Sequence, residues 1–302
     1  MNISKFQNFT VYNEDDQYCF ITLDIDENTF CVSIFNYFFS EDNLLTYSNN
    51  QKGVHFTPTK LNYAVLYKLL AKFFDQDEIV EINKDDYTPG EVKILNNEFV
   101  TEDNEKSIKV HLDKIGKIGE YILSTLLREY FKFDCVIPKL MLITNYNMSI
   151  YGIDCIHYSS EDNLLLFGES KISKTITNGI ALINKSLSNY EKSINDELAL
   201  IIGNNILKKN LPDEIELLAE ESISFNEFIT KAKVTKIGIP LFIGHGELSD
   251  PSLINNKLKT ITKQKFFNLD TCYYIISLPF KDKGTFINNL IKLIKDKCEL
   301  YE

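Results

Sequence analysis

Tyr151-Gly-Ile-Asp154-Cys-Ile-His-Tyr158, then Ser-Ser-Glu-Asp-Asn over 159–163, then Leu164-Leu-Leu-Phe-Gly-Glu169-Ser-Lys171 is the stretch from which the rest of the chain is read. Two strand-like runs flank a polar cluster, the pattern of a β-hairpin. A hairpin centred in that cluster sets Asp154 directly across from Glu169, with their Cβ atoms about 5 Å apart. Strand alternation puts Lys171 on the same face as Glu169. Like charges placed opposite each other repel unless something neutralises them, and a divalent metal does so.

The predicted chemistry follows from the residue types. Paired carboxylates form a hard-oxygen site suited to Mg²⁺ or Mn²⁺. The metal ligands expected here are Asp154, Glu169 and the main-chain carbonyl of Ser170. A metal so held activates water and stabilises charge on a phosphoryl group. Lys171 is placed to orient or deprotonate that water, or to stabilise the transition state. Upstream, Ile115, Ile118, Ile122 and Leu126, with Leu123 and Leu127, predict an amphipathic helix over about 107–131. Glu120 falls at the edge of its apolar stripe and is a candidate third carboxylate. Gly116 and Gly119 leave room for close packing on a sheet. His157 falls on the opposite strand face from Asp154 and reads as structural. His245 reads as a turn residue after a buried strand, with a place at the sheet's catalytic edge as the alternative.

Glu120, Asp154 and the triplet Glu169-Ser-Lys171 occur in the order helix, strand, strand. In that order they resemble the PD-(D/E)xK nuclease superfamily, whose core carries a Glu on a helix, an Asp on one strand and a (D/E)xK triplet on the next. The residue before Asp154 is Ile153, where many members have proline. A closer resemblance spans Lys114 to about Tyr190. Ile118-Gly-Glu-Tyr, Val136-Ile-Pro-Lys-Leu, Gly152-Ile-Asp154, Phe167-Gly-Glu-Ser-Lys171, Asn178-Gly-Ile and Ser186-Leu-Ser-Asn-Tyr190 are similar to the nuclease subunit of the Hachiman anti-phage defence system, the HamA family. That resemblance implies a metal-dependent DNase restrained and supplied with DNA by a helicase subunit, with Glu120, Asp154, Glu169 and Lys171 catalytic. Two other readings stay open: a non-catalytic nuclease-fold module that binds DNA or a protein, and a standalone restriction-type endonuclease.

Charge divides the chain unevenly. Residues 1–105 hold 19 Asp or Glu against 7 Lys, while the remaining 197 hold 24 acids against 25 bases. An acidic unit is not drawn to nucleic acid by its own field, so the first third reads as a solvated surface or as a docking surface for a basic partner. The polar run 101–107 suggests a boundary. The expected organisation is therefore an acidic α+β unit over 1–105 and a nuclease-like domain over 106–302. The latter is an α/β (α+β) restriction-endonuclease-like core, a mixed sheet flanked by helices.

Within the first third, 16–39 predicts two antiparallel strands. Over 58–74 a helix is expected, burying Leu61, Val65, Leu69 and Phe73, with short strands at 78–82 and 92–99. Beyond the hairpin, helices are expected at 175–194, 196–208, 213–230 and 283–299, and buried strands at 236–244 and 272–278.

The six cysteines form no close pairs and read as reduced, small hydrophobic residues. The absence of a secretory signal and of a long apolar run predicts a cytoplasmic protein. No phosphate-binding Gly-x-x-x-x-Gly-Lys loop, Gly-x-Ser-x-Gly elbow or His-Glu-x-x-His helix occurs. Nucleotide-driven translocation, serine hydrolysis and zinc proteolysis by this chain are thereby set aside.

Overall fold

The computed structural model describes residues 1–22, 26–48, 59–74, 78–86, 89, 92–93, 100–112, 116–137, 153–159, 161–203, 225–231, 234–246 and 248–301. The chain opens with β1 (Asn2–Phe6), β2 (Phe9–Glu14) and β3 (Gln17–Ile21), an antiparallel meander. Its tight turns hold Gln7 and Asp15 at φ 52° and 54°. Such left-handed backbone matches two-residue hairpin turns to the twist of the strands.

Three helices follow: α1 (Glu27–Phe38), α2 (Glu41–Ser48) and α3 (Lys60–Phe74). The second strand expected in 16–39 is helix α1. Phe30, Cys31, Ile34, Phe35 and Phe38 are all buried, a helical spacing, while Val32, which an alternating strand would bury, is 40% exposed. Asp26 starts the helix by accepting the Thr29 N–H at 3.1 Å. Helix α3 lies where expected but buries another face. Ala64, Tyr67 and Leu70 are inside, and Leu61 and Val65 are 73% and 49% exposed.

Strands β4 (Glu78–Asn83), β5 (Val100–Asp103) and β6 (Ser107–Leu112) form a small antiparallel sheet in the order β4-β6-β5. The polar run read as a boundary is the β5–β6 hairpin itself, and most of the strand expected at 92–99 lies outside the described residues. The next helix, α4 (Gly116–Glu129), starts later than predicted because 107–112 is strand.

Then come β7 (Asp134–Ile137), β8 (Cys155–Ser159), β9 (Leu164–Ser173), α5 (Ile176–Leu187) and α6 (Tyr190–Gly203). Helix α7 (Phe225–Lys231), β10 (Lys236–His245), α8 (Pro251–Leu258), β11 (Asp270–Pro279) and α9 (Lys283–Tyr301) complete the order. The expected helices at 196–208 and 213–230 fall partly on 204–224, outside the described residues.

Among the described residues, the eight strands outside the small sheet join one mixed sheet, ordered β1-β2-β3-β11-β10-β9-β8-β7. The pairs β3–β11, β11–β10 and β10–β9 are parallel, and the rest are antiparallel. A division at residue 105 does not follow the strands. β1–β3 extend the same sheet that holds the hairpin, and the small sheet draws strands from both sides of 105. Surface charge marked the first third, but buried pairing decides which strands share a sheet.

Helices cover both faces. Ile176, Ile180, Ile183 and Leu187 of α5 pack with Ile254 and Leu258 of α8 on one side. Ile118, Ile122 and Leu126 of α4 pack with Ile34 of α1 and Leu290 of α9 on the other. All six cysteines are free thiols. Among the described residues no helix is long and apolar enough to cross a membrane.

Candidate active site

The hairpin has the predicted register. Cys155 pairs with Gly168 and Ile156 with Phe167, and Asn163 turns the chain at φ 48°. Leu164 to Phe167 are buried on both faces, as a central strand requires. Gly168 is demanded by contact: a Cβ there would lie 2.4 Å from Cys155 Sγ.

β8 begins at Cys155, so Asp154 stands just before it, beside the part of β9 that β8 does not cover. Its amide donates to the Gly168 carbonyl at 2.9 Å. Its Oδ2 accepts from the Ser170 N–H at 2.6 Å and from the Ser170 hydroxyl at 2.7 Å. The Asp154 side chain thus continues the ladder where the strand has not yet started. The N–H and C=O of one strand residue point the same way, so the Ser170 carbonyl faces this edge too.

Glu169 is 5% exposed, and its Oε1 lies 2.5 Å from Lys171 Nζ. Burial raises the Glu169 pKa, and the Asp154 charge raises it further, against opposing contributions from Lys171 and the Ser186 hydroxyl. For Lys171, burial disfavours the ammonium, but Glu169, Asp154 and Glu120 outweigh it and the net shift is upward. Lys171 is therefore a firmly charged lysine whose side chain keeps 28% of its surface open to solvent. Glu120 comes in on α4, 7% exposed. Its neighbour Gly119 sits so close to β9 that a Cβ would be 3.1 Å from Ser170 Oγ.

Asp154, Glu169 and Lys171 therefore meet at the carboxyl-terminal half of β9, while Glu120, on α4, acts on the Lys171 charge. That strand end borders those of the parallel strands β10 and β11, the edge where open α/β sheets bind ligands. Sequence reasoning missed the Ser170 hydroxyl and Ser186. Both are small polar residues whose partners depend on where β8 starts and where α5 lies, and spacing carries no signal of either.

The histidines stand apart. His157 faces Ser124 at 3.4 Å from the core, and burial lowers its pKa to about 3. His245 is not a turn residue: it ends β10, fully buried, with Nε2 2.8 Å from Ser277 Oγ. Gly152 and Lys139 lie outside the described residues.

The donor set suits a hard cation. Among the described residues no group of three or more His, Cys, Asp or Glu side chains is arranged to hold a metal. Two carboxylates and a carbonyl are nonetheless enough for Mg²⁺, which retains several waters and takes one or two protein carboxylates. The nearby donors are all oxygen, which favours Mg²⁺ or Mn²⁺ over zinc. A buried Glu169 whose ionisation is opposed by burial and by Asp154 is the kind of group a cation relieves.

No curated protein and no solved structure matches the chain. One family model does, over residues 24–294, reaching far beyond the segment around the hairpin. On that match the chain belongs to the HamA family, the Hachiman defence subunits, which points to a role in anti-phage defence.

Proposed function

We propose that this protein is a metal-dependent DNase of the Hachiman system, hydrolysing DNA phosphodiesters under the control of a helicase partner. The observation that carries the reading is the meeting of Asp154, Glu169 and Lys171 at one strand end, with a buried carboxylate held against a charged lysine. Asp154, Glu169 and the Ser170 carbonyl would hold Mg²⁺ or Mn²⁺. When bound, the ion supplies a more acidic water and charge stabilisation for a phosphoryl group.

The protein's own side chains do the rest. Ser170 fixes one oxygen of Asp154 through two hydrogen bonds, and the other would be the one to ligate a cation. Glu169 tethers the Lys171 ammonium, whose remaining N–H groups are free to hold a phosphate oxygen or the attacking water. Glu169 and Asp154, with a smaller part from Glu120, keep Lys171 protonated, so Lys171 acts as a cation and donor rather than as a base. A near-neutral remainder joined to an acidic first third has little pull of its own on DNA, which suits delivery by a motor subunit working in the same compartment.

The test is plasmid cleavage with Mg²⁺, with and without an added Hachiman helicase subunit. Wild type should cut, and Asp154→Ala, Glu169→Ala and Lys171→Ala should each lose at least about 10²-fold. Normal cleavage by all three would sink the assignment. The rival reading, a non-catalytic module, draws on the same Lys171–Glu169 pair, since that pair already neutralises Glu169 without metal. Mg²⁺-linked thermal stabilisation in wild type and its absence in Glu169→Ala would exclude that reading.

A further inference from the structure

The ladder between β9 and β10 has a gap beside the candidate site. Gly238 pairs with Leu166 and Leu241 with Glu169, but Ile239 and Pro240 make no pairs with β9. On its other side β10 pairs with β11 without interruption, through Ile239↔Tyr273 and Pro240↔Tyr274. The gap is therefore local to the β9 side. Continuing the register sets Pro240 opposite Gly168. In a parallel pair, an amide at that position would donate to the carbonyl one residue back, that of Phe167. Proline has no N–H to give.

The donor comes from outside the sheet. The hydroxyl of Tyr190, at the start of α6 and 2% exposed, donates to the Phe167 carbonyl at 3.1 Å. Its ring packs edge-on against Phe266, centroids 5.8 Å apart. Glu169 is two residues beyond Phe167, on the same strand face, at the point where pairing with β10 resumes.

We propose that Tyr190 is a positioning residue for the candidate metal site: it supplies the hydrogen bond that Pro240 withholds and so fixes the path of β9 into Glu169. The inference rests on the reading of Glu169 as a metal ligand. It gives the proline a purpose, since a ladder amide would tie β9 to β10 alone, whereas the tyrosine ties it to the helical layer that also carries Ser186.

The experiment compares wild type, Tyr190→Phe, Pro240→Ala and the double variant, with Mn²⁺ binding measured by calorimetry and plasmid cleavage resolved into kcat and KM. Tyr190→Phe keeps the ring and its packing, so folding is retained and checked by Tm. It should weaken Mn²⁺ binding roughly 10-fold, the lower end for losing a group that orients a ligand, and lower kcat with little change in KM. Pro240→Ala returns an amide to the gap. Alone it should bind Mn²⁺ like wild type, and in the double variant it should restore affinity to within about twofold of wild type. Wild-type binding by Tyr190→Phe, or a double variant no better than Tyr190→Phe, overturns the inference while the nuclease reading stands. If wild type itself binds no Mn²⁺, the metal site is wrong and the inference falls with it.

Discussion

At Glu169, burial and the Asp154 charge both favour the neutral form, against the Lys171 ammonium. A carboxyl whose folded pKa is raised stabilises the fold at low pH, and that contribution is lost as pH rises through the folded pKa. In the metal-free protein at neutral pH, Glu169→Gln should therefore raise Tm. In Mg²⁺ it should remove the metal-linked gain. Calorimetry with EDTA and with Mg²⁺ reads both signs, and a lower Tm in EDTA would contradict the electrostatic account. His245 has the opposite dependence. Burial lowers its pKa to about 4, and its Nδ1 lies 3.1 Å from the Gly246 carbonyl, which only accepts. Nδ1 thus carries the proton, and Nε2 accepts from Ser277. The stability it contributes is whole above its unfolded pKa of about 6.5 and is lost as pH falls toward about 4. Urea titrations at pH 7 and pH 4.5 should differ, with His245 accounting for up to roughly 3 kcal/mol, and His245→Gln should flatten the slope. At this scale the sequence was most legible where two constraints agreed. Turn residues and alternation together fixed the Asp154–Glu169 register. The Ser170–Asp154 bonds were not legible, because they exist only where β8 stops short of its partner.

Between elements, contact distance decides what is tolerated. Gly168 lets β8 and β9 pair under α4, and a methyl there would meet Cys155 Sγ and come 3.0 Å from Leu123 Cδ2. Gly168→Ala should cost about 1–3 kcal/mol by overpacking, measured by chemical denaturation, and Cys155→Ala in the same chain should recover part of it. Thr175 caps α5 by accepting the Asn178 N–H at 3.1 Å. Thr175→Ala should cost about 1 kcal/mol and Thr175→Ser little, since serine caps as well. Helix α4 was legible because its apolar positions follow a single period. Helix α1 was not, because Phe30, Val32 and Ile34 alternate like a strand. Only the neighbours Cys31, Phe35 and Phe38 turn that pattern into a helical stripe, and only the packing against α9 selects it.

For the whole molecule, the joining of β1–β3 to the main sheet predicts shared stability. β3 pairs with β11 through Gln17↔Ile275, Tyr18↔Ile276 and Ser277↔Cys19. Scanning calorimetry should show the main sheet melting in one transition that includes the amino-terminal strands. Removing residues 1–21 should unfold or aggregate the remainder, because it leaves β11 with an uncovered edge. An active, soluble truncation would contradict this. Composition could not reveal the arrangement: net charge describes the surface, whereas pairing between positions so far apart leaves no local periodicity.

The same pairing bears on how the protein is made. The β1–β3 meander pairs with β11, a strand that follows it far along the chain, so its edge stays open until that strand has been made. The strand β10 that flanks β11, and the helices α5 and α8 of one layer, also follow the meander at a distance. Folding dominated by such distant contacts is slow, and an unfinished strand edge is prone to aggregation. A nascent chain therefore holds Asp154 and Glu169 before it holds β10 and β11, so the strand end that carries them gains its parallel neighbours only later.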